Sequence, residues 1–485
     1  MKKLLLQLVF VLLPFFALAQ DDAPVTKDFT GKIKKIVTSF KLNDHVSVIQ
    51  TNIDDDNFEL IAVDDKMAVL WRISLKGFAI GAGKFNGQVL AVAGAGFSDS
   101  KAIISPYSAF LVDAQTGKLI QQKSIYSSTY DKKEWAKVFF DEAGSNVSLV
   151  IGETDNTKMI PILEIFNVDT KDITIINLNE KLEAVGTKHI VPGGNFVGIA
   201  CNEKHDIFIS TVQDDKTLKV SKYEAGKSEP SGFAVQNIDL KEKSDVKYGN
   251  PNGRPNREHN AWVVASSTDR NVVYFAVMHK ERELTISKLN VGNNTGQTVN
   301  ESINKAYIKS IEKDYMPIDK KFEKPNVESS DYMNVRYLGV HNGSLVVALS
   351  SLDIKGNSIT GGGYFEEDAV IIKGYDNNLK QKFLQLLPSS YEFLHPIHAS
   401  FHFADNSLYV IANTGNGTKS TYFGNIDLGT GNWSALKKLT RKDIKNYEYA
   451  EKNVLWFKNG FMIPYMAPHG MIIGKEVINL QLNMY

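Results

Sequence analysis

The sequence predicts an all-β fold of the β-propeller type, with seven or eight blades of about four antiparallel strands each. Short apolar β-type runs separated by turn residues continue from residue 46 to the end of the 485-residue chain, and long helical periodicity is nearly absent. A unit also repeats: an apolar strand, a polar turn, a second apolar strand, a variable loop and a third strand that ends in an Asp/Asn-Gly type turn. One such unit cannot bury both faces of its sheet, so neighbouring sheets must stack around an axis.

Eight copies of this unit can be traced. The clearest runs from Ala399 to Trp433, and a second runs from Phe85 to Ile120. The mean spacing between unit starts is about 58 residues, more than the ~40–50 of common propeller blades, which indicates loop insertions. The first interval between unit starts is the shortest, so the sequence does not decide between seven blades and eight. The eight units start at Val46, Phe85, Ala136, His189, Trp262, Arg336, Ala399 and Val454.

We expect residues 46–485 to form one propeller domain and residues 20–45 to contribute a strand. The stretch from Lys32 to Phe40 and the terminal VINLQLNMY are predicted to pair and close the ring, which removes free sheet edges. Two packed β domains are the alternative fold, but no linker-like change of composition divides the chain.

Three long insertions interrupt the repeat, at residues 227–260, 298–332 and 436–453, and a smaller one lies at residues 356–368. In the second insertion Ile303, Tyr307 and Ile311 are spaced four residues apart, which predicts a short amphipathic helix. The third insertion predicts another short helix with a basic start. Long loops of this kind are either solvated connectors or functional surfaces.

Residues 1–19 have the pattern of a secretory signal peptide. A basic start is followed by an apolar run from Leu4 to Leu18 and by the small-residue site Ala17-Leu18-Ala19. The run is shorter than the ~20 residues that span a bilayer, and no second long apolar segment occurs, so we expect no transmembrane segment. The protein is therefore expected to be exported, to the periplasm or the medium.

Charge and cysteine content exclude several classes of function. Lys and Arg total 55 and Asp and Glu total 55, so no basic excess is present to neutralise nucleic-acid phosphates. The single cysteine, Cys201, cannot form an internal disulfide and lies in an apolar stretch, where we expect a buried thiol. A nucleophilic role is the alternative, but no His/Asn context is evident in the sequence. We expect a monomer.

A D-x-x-T-G turn in LVDAQTGKLI, with relatives in IDLGTGNW and NVDTKDI, supports the repeat. Asp113 and Thr116 can hydrogen-bond their own backbone, and Gly117 supplies the positive φ that a tight hairpin requires. These turns resemble the outer hairpins of quinoprotein-like and WD40-like propellers. Quinoprotein dehydrogenases use a tryptophan in most blades and a vicinal cysteine pair. This chain has five irregularly placed tryptophans and one cysteine, so we expect no cofactor. Taken whole, the chain resembles the secreted propeller proteins of unknown function of Bacteroidetes-type bacteria, whose signal peptides often end in ALAQ.

Candidate binding residues lie in the loops, because propeller sheets act as scaffolds. Aromatic residues recur just before the third strand in three units, where they either pack the loop or line a carbohydrate or peptide platform. The turn-rich first insertion and a lone histidine beside a late turn add polar candidates. The predicted binding-loop residues are Tyr107, Arg254, Arg257, His259, Tyr364, Phe365, Tyr422 and His469.

No motif identifies a catalytic or metal site. In HPIHASFHF the two-residue period of a strand places only His398 and His402 on one face, with His395 opposed, so we expect no metal site. The acidic turn from Asn52 to Glu59 fails the EF-hand spacing, and GAGKFNG lacks the Ser/Thr and the helix of a phosphate loop. Two glycosidase carboxylates can be neither identified nor excluded from spacing alone.

The sequence therefore favours an exported, non-enzymatic propeller that binds a glycan, a peptide or a cell-envelope protein through its loops. The alternative is an extracellular hydrolase or lyase that acts on polysaccharide or peptide, with acids and histidines from different blades. Charged residues on the innermost strands would favour the enzyme. The runs LAVAGA, SLVIGE, LVVALS and LYVIAN, interpreted as innermost strands, are mostly apolar, with Glu153 a rare acid near one end, which favours the binding protein.

Overall fold

The computed structural model is an eight-bladed β-propeller built from eight antiparallel sheets. It describes residues 25–28, 35–98, 102–129, 133–141, 144–154, 170–214, 216–224, 227, 229–238, 260–265, 269–278, 282–311, 332–356, 363–393, 399–414, 420–434, 437–439, 448–449, 454–457, 460–466 and 478–484.

Thirty-five strands and one short helix are defined in these residues. The first half contains β1 Val25–Asp28, β2 Lys35–Lys41, β3 Val46–Asn52, β4 Asn57–Asp64, β5 Val69–Lys76, β6 Phe78–Phe85, β7 Gln88–Gly94, β8 Gly96–Ser98, β9 Ala102–Ile104, β10 Tyr107–Val112, β11 Leu119–Tyr126, β12 Lys133–Phe140, β13 Val147–Thr154, β14 Thr170–Leu178, β15 Ala184–Ile190, β16 Asn195–Cys201, β17 Ile207–Gln213, β18 Thr217–Tyr223 and β19 Gly232–Asn237. The second half contains β20 Asn260–Ala265, β21 Val272–Met278, β22 Glu283–Asn290, β23 Thr295–Ser302, α1 Lys305–Ile311, β24 Tyr332–His341, β25 Ser344–Gly356, β26 Gly363–Tyr375, β27 Gln381–Phe393, β28 Ala399–Ala404, β29 Ser407–Thr414, β30 Ser420–Asp427, β31 Lys437–Leu439, β32 Glu448–Tyr449, β33 Leu455–Phe457, β34 Gly460–Met466 and β35 Ile478–Met484.

Each blade is a meander whose strands follow one another from the inner to the outer edge. Blade 1 is β2 to β5, blade 2 is β6, β7, β10 and β11, blade 3 is β12 to β15, and blades 4 to 7 are β16–β19, β20–β23, β24–β27 and β28–β31. In blade 8 both β32 and β33 pair with β34, β35 follows, and β1 is the outermost strand. The eight blades correspond one to one to the eight predicted units.

The first unit is complete, because β2 supplies its innermost strand. The ring is closed by β1, in which Val25 lies opposite Leu482 of β35. The prediction that Lys32 to Phe40 would make this pairing is therefore wrong for the described part of that stretch: Lys35–Lys41 pairs with β3, with Thr38 opposite Gln50. The N-terminal segment does contribute the closing strand, from residues further upstream.

The runs interpreted as innermost strands occupy the second position in their blades, as β7, β13, β25 and β29. They are apolar because a second strand is covered by neighbouring blades on both faces; β7, for example, is buried at every position after its first. The innermost strands carry more polar groups, among them Lys41, Lys84 and His402. The apolar character of the second strands therefore does not distinguish a binding protein from an enzyme.

Helix α1 lies in the insertion for which the sequence predicts a helix. Asn304 caps it, since its Oδ1 accepts a hydrogen bond from the Tyr307 backbone N–H at 2.9 Å. Ile308 and Ile311 are buried, and the Tyr307 ring lies 5.0 Å from Lys373 Nζ of blade 6. In the insertion at 436–453 the described residues 437–439 and 448–449 are strands, so the helix predicted there is wrong for these residues.

The D-x-x-T-G turn forms as the sequence predicts. Asp113 Oδ1 accepts hydrogen bonds from the N–H and the Oγ1 of Thr116, both at 2.7 Å, and Gly117 has a φ of 69°. The turn at Asp427, Thr430 and Gly431 repeats this arrangement, with a φ of 75° at the glycine. The third predicted relative, NVDTKDI, lies partly outside the described residues.

The meander separates two kinds of connection. Because successive strands alternate in direction, first-to-second and third-to-fourth connections emerge at one end of each blade, here called the hairpin face. Second-to-third and blade-to-blade connections emerge at the other end, here called the loop face. Between described strands, the connections of the hairpin face are two to nine residues long, and every longer connection belongs to the loop face.

Candidate functional site

Three acidic residues lie side by side at the loop-face end of blade 3. Glu134 is on β12, Glu153 on β13 and Asp172 on β14, and the strand register places Glu134 opposite Glu153 and Glu153 opposite Asp172. Directly opposed residues of antiparallel strands project from the same face, with Cβ atoms about 4.5–5.5 Å apart. We call these three residues the acid row.

The acid row continues the stripe of side chains that packs blade 3 against blade 2. On β13 the same face carries Leu149, Ile151 and then Glu153, because side chains alternate with a period of two. Leu149 and Ile151 belong to the buried cluster shared with the blade 2 residues Leu90 and Val92. The stripe is thus apolar in the middle of the sheet and acidic where the strands reach the loop face.

Blade 2 contributes Tyr107, the first residue of β10, to the same place. Its fully buried side chain donates a hydrogen bond from the hydroxyl to Glu134 Oε2 at 2.5 Å. Glu134 is only 3 % exposed, and its Oε1 has no hydrogen-bond partner within the part of the chain that the structure describes. The same holds for Oδ1 of Asp172. The acid row therefore contains two buried carboxylate oxygens that receive no donor from these residues.

The hairpin β8–β9 flanks the inner side of Glu134. Strand β9 pairs in parallel with β12, with Ala102 opposite Glu134, and extends the sheet of blade 3. The Phe97 backbone N–H donates to the Asp55 backbone O at 3.1 Å, which ties this hairpin to the β3–β4 turn of blade 1. The connection within blade 2 thus helps to bury Glu134 at the inner edge of its sheet.

The electrostatics of the acid row favour a proton or a cation. Burial raises the pKa of Glu153, and the carboxylates of Asp172 and Glu134 raise it further, whereas His189 acts in the opposite direction. Burial also raises the pKa of Tyr126, whose ring centroid lies 6.2 Å from that of Tyr107. Three adjacent acids repel one another, so a bound positive group would relieve that repulsion.

Tyr107 is the one predicted binding residue whose described side chain contacts the acid row. Tyr422 is buried, at 7 % exposure, on β30 of blade 7. Tyr364 and Phe365 lie at the start of β26, at the loop-face end of blade 6, and their side chains are outside the described part. Arg254, Arg257, His259 and His469 lie outside the described residues.

Of the three residues of the acid row, the sequence indicates only Glu153, as an acid near a strand end. Glu134 and Asp172 each occupy the second or third position of their strands. The signal that could have identified them is the recurrence of acids near the loop-face ends of three consecutive strands. Their alignment depends on strand register across a long connection, which spacing along the chain does not specify.

The structure places a histidine beside Cys201, for which the sequence indicates no His/Asn context. His205 Nδ1 lies 3.7 Å from Cys201 Sγ, and its Nε2 lies 2.6 Å from Ser148 Oγ. Burial raises the pKa of the Cys201 thiol to about 12 and lowers the pKa of His205. A thiol with that pKa is not ionised at neutral pH, so this cluster is a buried hydrogen-bonded contact between blades 3 and 4.

The histidines and acids that the sequence analysis rejects as metal ligands make other contacts where the structure describes them. His402 stacks on Trp456 with ring centroids 4.8 Å apart, and burial lowers its pKa to about 4. His395 and His398 lie outside the described residues. In the acidic turn after β3, Asp54 Oδ1 accepts hydrogen bonds from the Asp56 N–H and from Asn57 Nδ2. Within the described residues, no three His, Cys, Asp or Glu side chains are arranged to hold a metal ion.

Comparisons with known proteins give a likeness in fold only. No family model matches the sequence, and no curated protein matches it. Among solved structures, the WD40 domain of SCAP from fission yeast is 9 % identical with a TM-score of 0.43, covering 96 % of this chain and 99 % of that one. A prolyl endopeptidase is 10 % identical with a TM-score of 0.45, covering 90 % of this chain and 55 % of that one. An uncharacterized protein from Listeria monocytogenes is 9 % identical with a TM-score of 0.37, covering 91 % and 92 %.

Among the described residues, no helix is both long enough and apolar enough to cross a bilayer.

Proposed function

We propose that this protein is an exported, non-enzymatic propeller that binds a glycan, a peptide or a cell-envelope protein through its loop face. The observation that carries the proposal is the acid row with Tyr107, which places partly unsatisfied acidic groups at the face that bears all the long connections. The short turns of the hairpin face offer less irregular chain for recognition.

Export is supported by the pattern of residues 1–19 and by the resemblance to secreted propellers of Bacteroidetes-type bacteria. A chain without a disulfide partner for Cys201 relies on its blade-to-blade cores for stability outside the cell. We propose a periplasmic or extracellular location and a monomeric state, without a cofactor or bound nucleic acid.

The test is a binding and turnover screen of the purified protein against glycan and peptide libraries. Glu153→Gln and Asp172→Asn change the loop face. Glu180→Gln, an exposed acid in the β14–β15 hairpin of the same blade, changes the hairpin face and is the matched control. Binding without turnover that is weakened by the first two variants and not by the third is the expected result. A ligand that is held equally by all four proteins would overturn the assignment to the loop face of blade 3.

A hydrolase or lyase is the second candidate, and one observation favours it. Glu153, whose pKa is raised, lies directly opposite Asp172, and glycoside hydrolysis uses one protonated and one ionised carboxyl group about 5–10 Å apart. Turnover of a glycan or peptide in the screen, lost in Glu153→Gln and retained in Glu180→Gln, would establish this candidate in place of the binding protein.

A further inference from the structure

We propose that the outer edge of blade 4, formed by strand β19, is a docking site for an extended peptide segment of a partner protein, which adds to the sheet as a fifth strand. The inference goes beyond the proposed function, because this edge lies on the rim of the propeller and not on the loop face. In strand addition of this kind, the added backbone supplies hydrogen bonds and its alternate side chains supply specificity.

Strand β19 lacks the features that protect the other outer edges. It pairs with β18 alone, without a bulge, and its sequence GFAVQN contains neither a charged residue nor a proline. Charges, prolines and bulges are the usual means by which proteins block the addition of a strand. Among the described strands, each of the other outermost ones carries at least one charged residue; these are β1, β5, β11, β15, β23, β27 and β31.

Two apolar side chains of this strand are exposed to solvent. Phe233 is 49 % exposed and Val235 is 41 % exposed. Side chains two positions apart in a strand project from the same face, so these two residues form a short apolar row along the edge. Aromatic and β-branched residues stabilise a sheet when they lie opposite one another on neighbouring strands. An added strand with valine or isoleucine at alternate positions therefore fits this row.

The backbone of Val235 faces the free edge. Val235 lies opposite Lys219 of β18, yet its N–H donates to Asn294 Oδ1, in the β22–β23 turn of blade 5, at 3.0 Å. Backbone groups alternate in direction along a strand, so those of Phe233 and Asn237 face the same edge. The Asn294 side chain thus supplies an acceptor that a carbonyl group of an added strand can replace.

A peptide segment fits this edge better than a second copy of the chain does. The rim of a closed propeller is convex, so two copies that met through β19 would contribute little beyond the six residues of each strand. Stable protein–protein interfaces use about 20–30 residues on each side. An extended segment can follow the whole edge without bringing a second rim against it.

The experiment measures the binding of a fluorescein-labelled, capped heptapeptide, Ser-Val-Thr-Val-Thr-Val-Ser, by fluorescence anisotropy. Two control peptides have the same sequence, with N-methyl groups on the valines in one and on the threonines in the other. In an added strand one of these sets of N–H groups faces β19 and the other faces solvent. We therefore expect the affinities of the two controls to differ at least about fivefold, because only one control loses its hydrogen bonds to the protein.

Three variants of the protein locate the binding. Val235→Lys places a charge on the edge, and we expect it to weaken binding of the unmethylated peptide at least about tenfold. Ile120→Lys is the matched control, because Ile120 is a 52 % exposed apolar residue on the outermost strand of blade 2, and binding is expected to be unchanged. Asn294→Ala removes the side chain that competes with the peptide for the Val235 N–H, so we expect binding to tighten about threefold.

The outcomes decide whether the edge of β19 accepts a peptide. Equal affinities of the two N-methylated peptides, equal binding by the wild type and Val235→Lys, or no binding by the wild type overturns the inference. Self-association of the wild type in light scattering that Val235→Lys abolishes also overturns it, because the edge would then pair with a second copy.

Thermal unfolding of each variant shows whether a loss of binding reflects a loss of fold, and the comparison of the N-methylated peptides needs no variant. A library ligand that binds through the loop face supports the proposed function whether or not β19 binds the peptide.

Discussion

At Glu153 the folded protein holds a proton that the unfolded chain releases more readily. Burial, Asp172 and Glu134 raise the pKa of Glu153 above its usual value of 4.5. Its stabilising contribution is therefore fully present below about pH 4.5 and is lost as pH rises through the folded-state pKa. The variant Glu153→Gln is neutral at every pH and avoids that loss.

We therefore expect Glu153→Gln to be more stable than the wild type near pH 7, with the difference shrinking toward about pH 4.5. Urea unfolding midpoints across this range measure it. Glu180→Gln removes a carboxylate from the opposite end of the same blade and serves as control. A Glu153→Gln difference that is the same at both pH values would show that burial and the neighbouring carboxylates do not raise the pKa of Glu153 in the folded protein.

Tyr107 fixes Glu134 at the buried end of the acid row, and Tyr107→Phe removes the hydroxyl that donates to Glu134 Oε2. The loss leaves a buried carboxylate oxygen without its donor, so we expect the free energy of unfolding to fall by about 1–3 kcal/mol. Tyr307→Phe is the matched control, because the Tyr307 hydroxyl has no hydrogen-bond partner within the described residues. Denaturant unfolding of both variants makes the comparison, and equal effects would contradict the role given to Tyr107.

Among the structural elements, the turn and the helix that depend on nearby residues could be predicted, whereas the register of strands paired across a long connection could not. The D-x-x-T-G turn depends on residues within five positions, so Asp113, Thr116 and Gly117 specify it on their own. The four-residue spacing predicts helix α1. Of its residues, the predicted Ile311 is buried, and so is Ile308, which the spacing does not indicate. The acid row could not be predicted, because Glu153 and Asp172 meet only through pairing across residues 155–169.

The same turn also carries a contact between blades. A Cβ added to Gly117 would lie 2.7 Å from the Trp71 ring of blade 1, and Trp71 Nε1 donates to the Ala114 backbone O at 2.9 Å. Gly87 has a similar positive φ, of 78° against 69°, but an added Cβ would meet nothing within 4 Å. Alanine substitutions at these two glycines therefore distinguish the cost of a left-handed backbone from the cost of a clash with Trp71.

We expect Gly87→Ala to lower the free energy of unfolding by about 1–2 kcal/mol through left-handed strain alone. Gly117→Ala adds displacement of Trp71, so we expect a larger loss, of about 2–4 kcal/mol. Urea denaturation followed by tryptophan fluorescence measures both. Equal losses would show that Trp71 moves aside without cost.

For the whole molecule, the repeat determines the number of blades, whereas the pairing of the chain ends determines how the ring closes. The eight units can be traced in the sequence because each contains the repeated pattern of strands and turns. The sequence does not show whether Lys35–Lys41 or Val25–Asp28 is the closing strand, because both are short polar-flanked segments near the N-terminus. The structure assigns the first to the inner edge of blade 1 and the second to the outer edge of blade 8.

Closure by β1 predicts a defined effect of truncation. A chain that begins at residue 25 keeps the pairs from Val25↔Leu482 to Asp28↔Asn479, whereas a chain that begins at residue 30 leaves the outer edge of β35 unpaired. We expect the shorter chain to unfold at a temperature lower by at least about 2 °C and to associate with increasing concentration, since an unpaired strand edge can pair with another chain. Differential scanning fluorimetry and light scattering compare the two. A synthetic peptide of residues 20–34 supplied in trans should restore the higher midpoint by adding the missing strand, and a peptide with Thr26→Pro should not. If both truncations unfold alike and neither responds to the peptide, the β1–β35 pairing does not hold the ring closed.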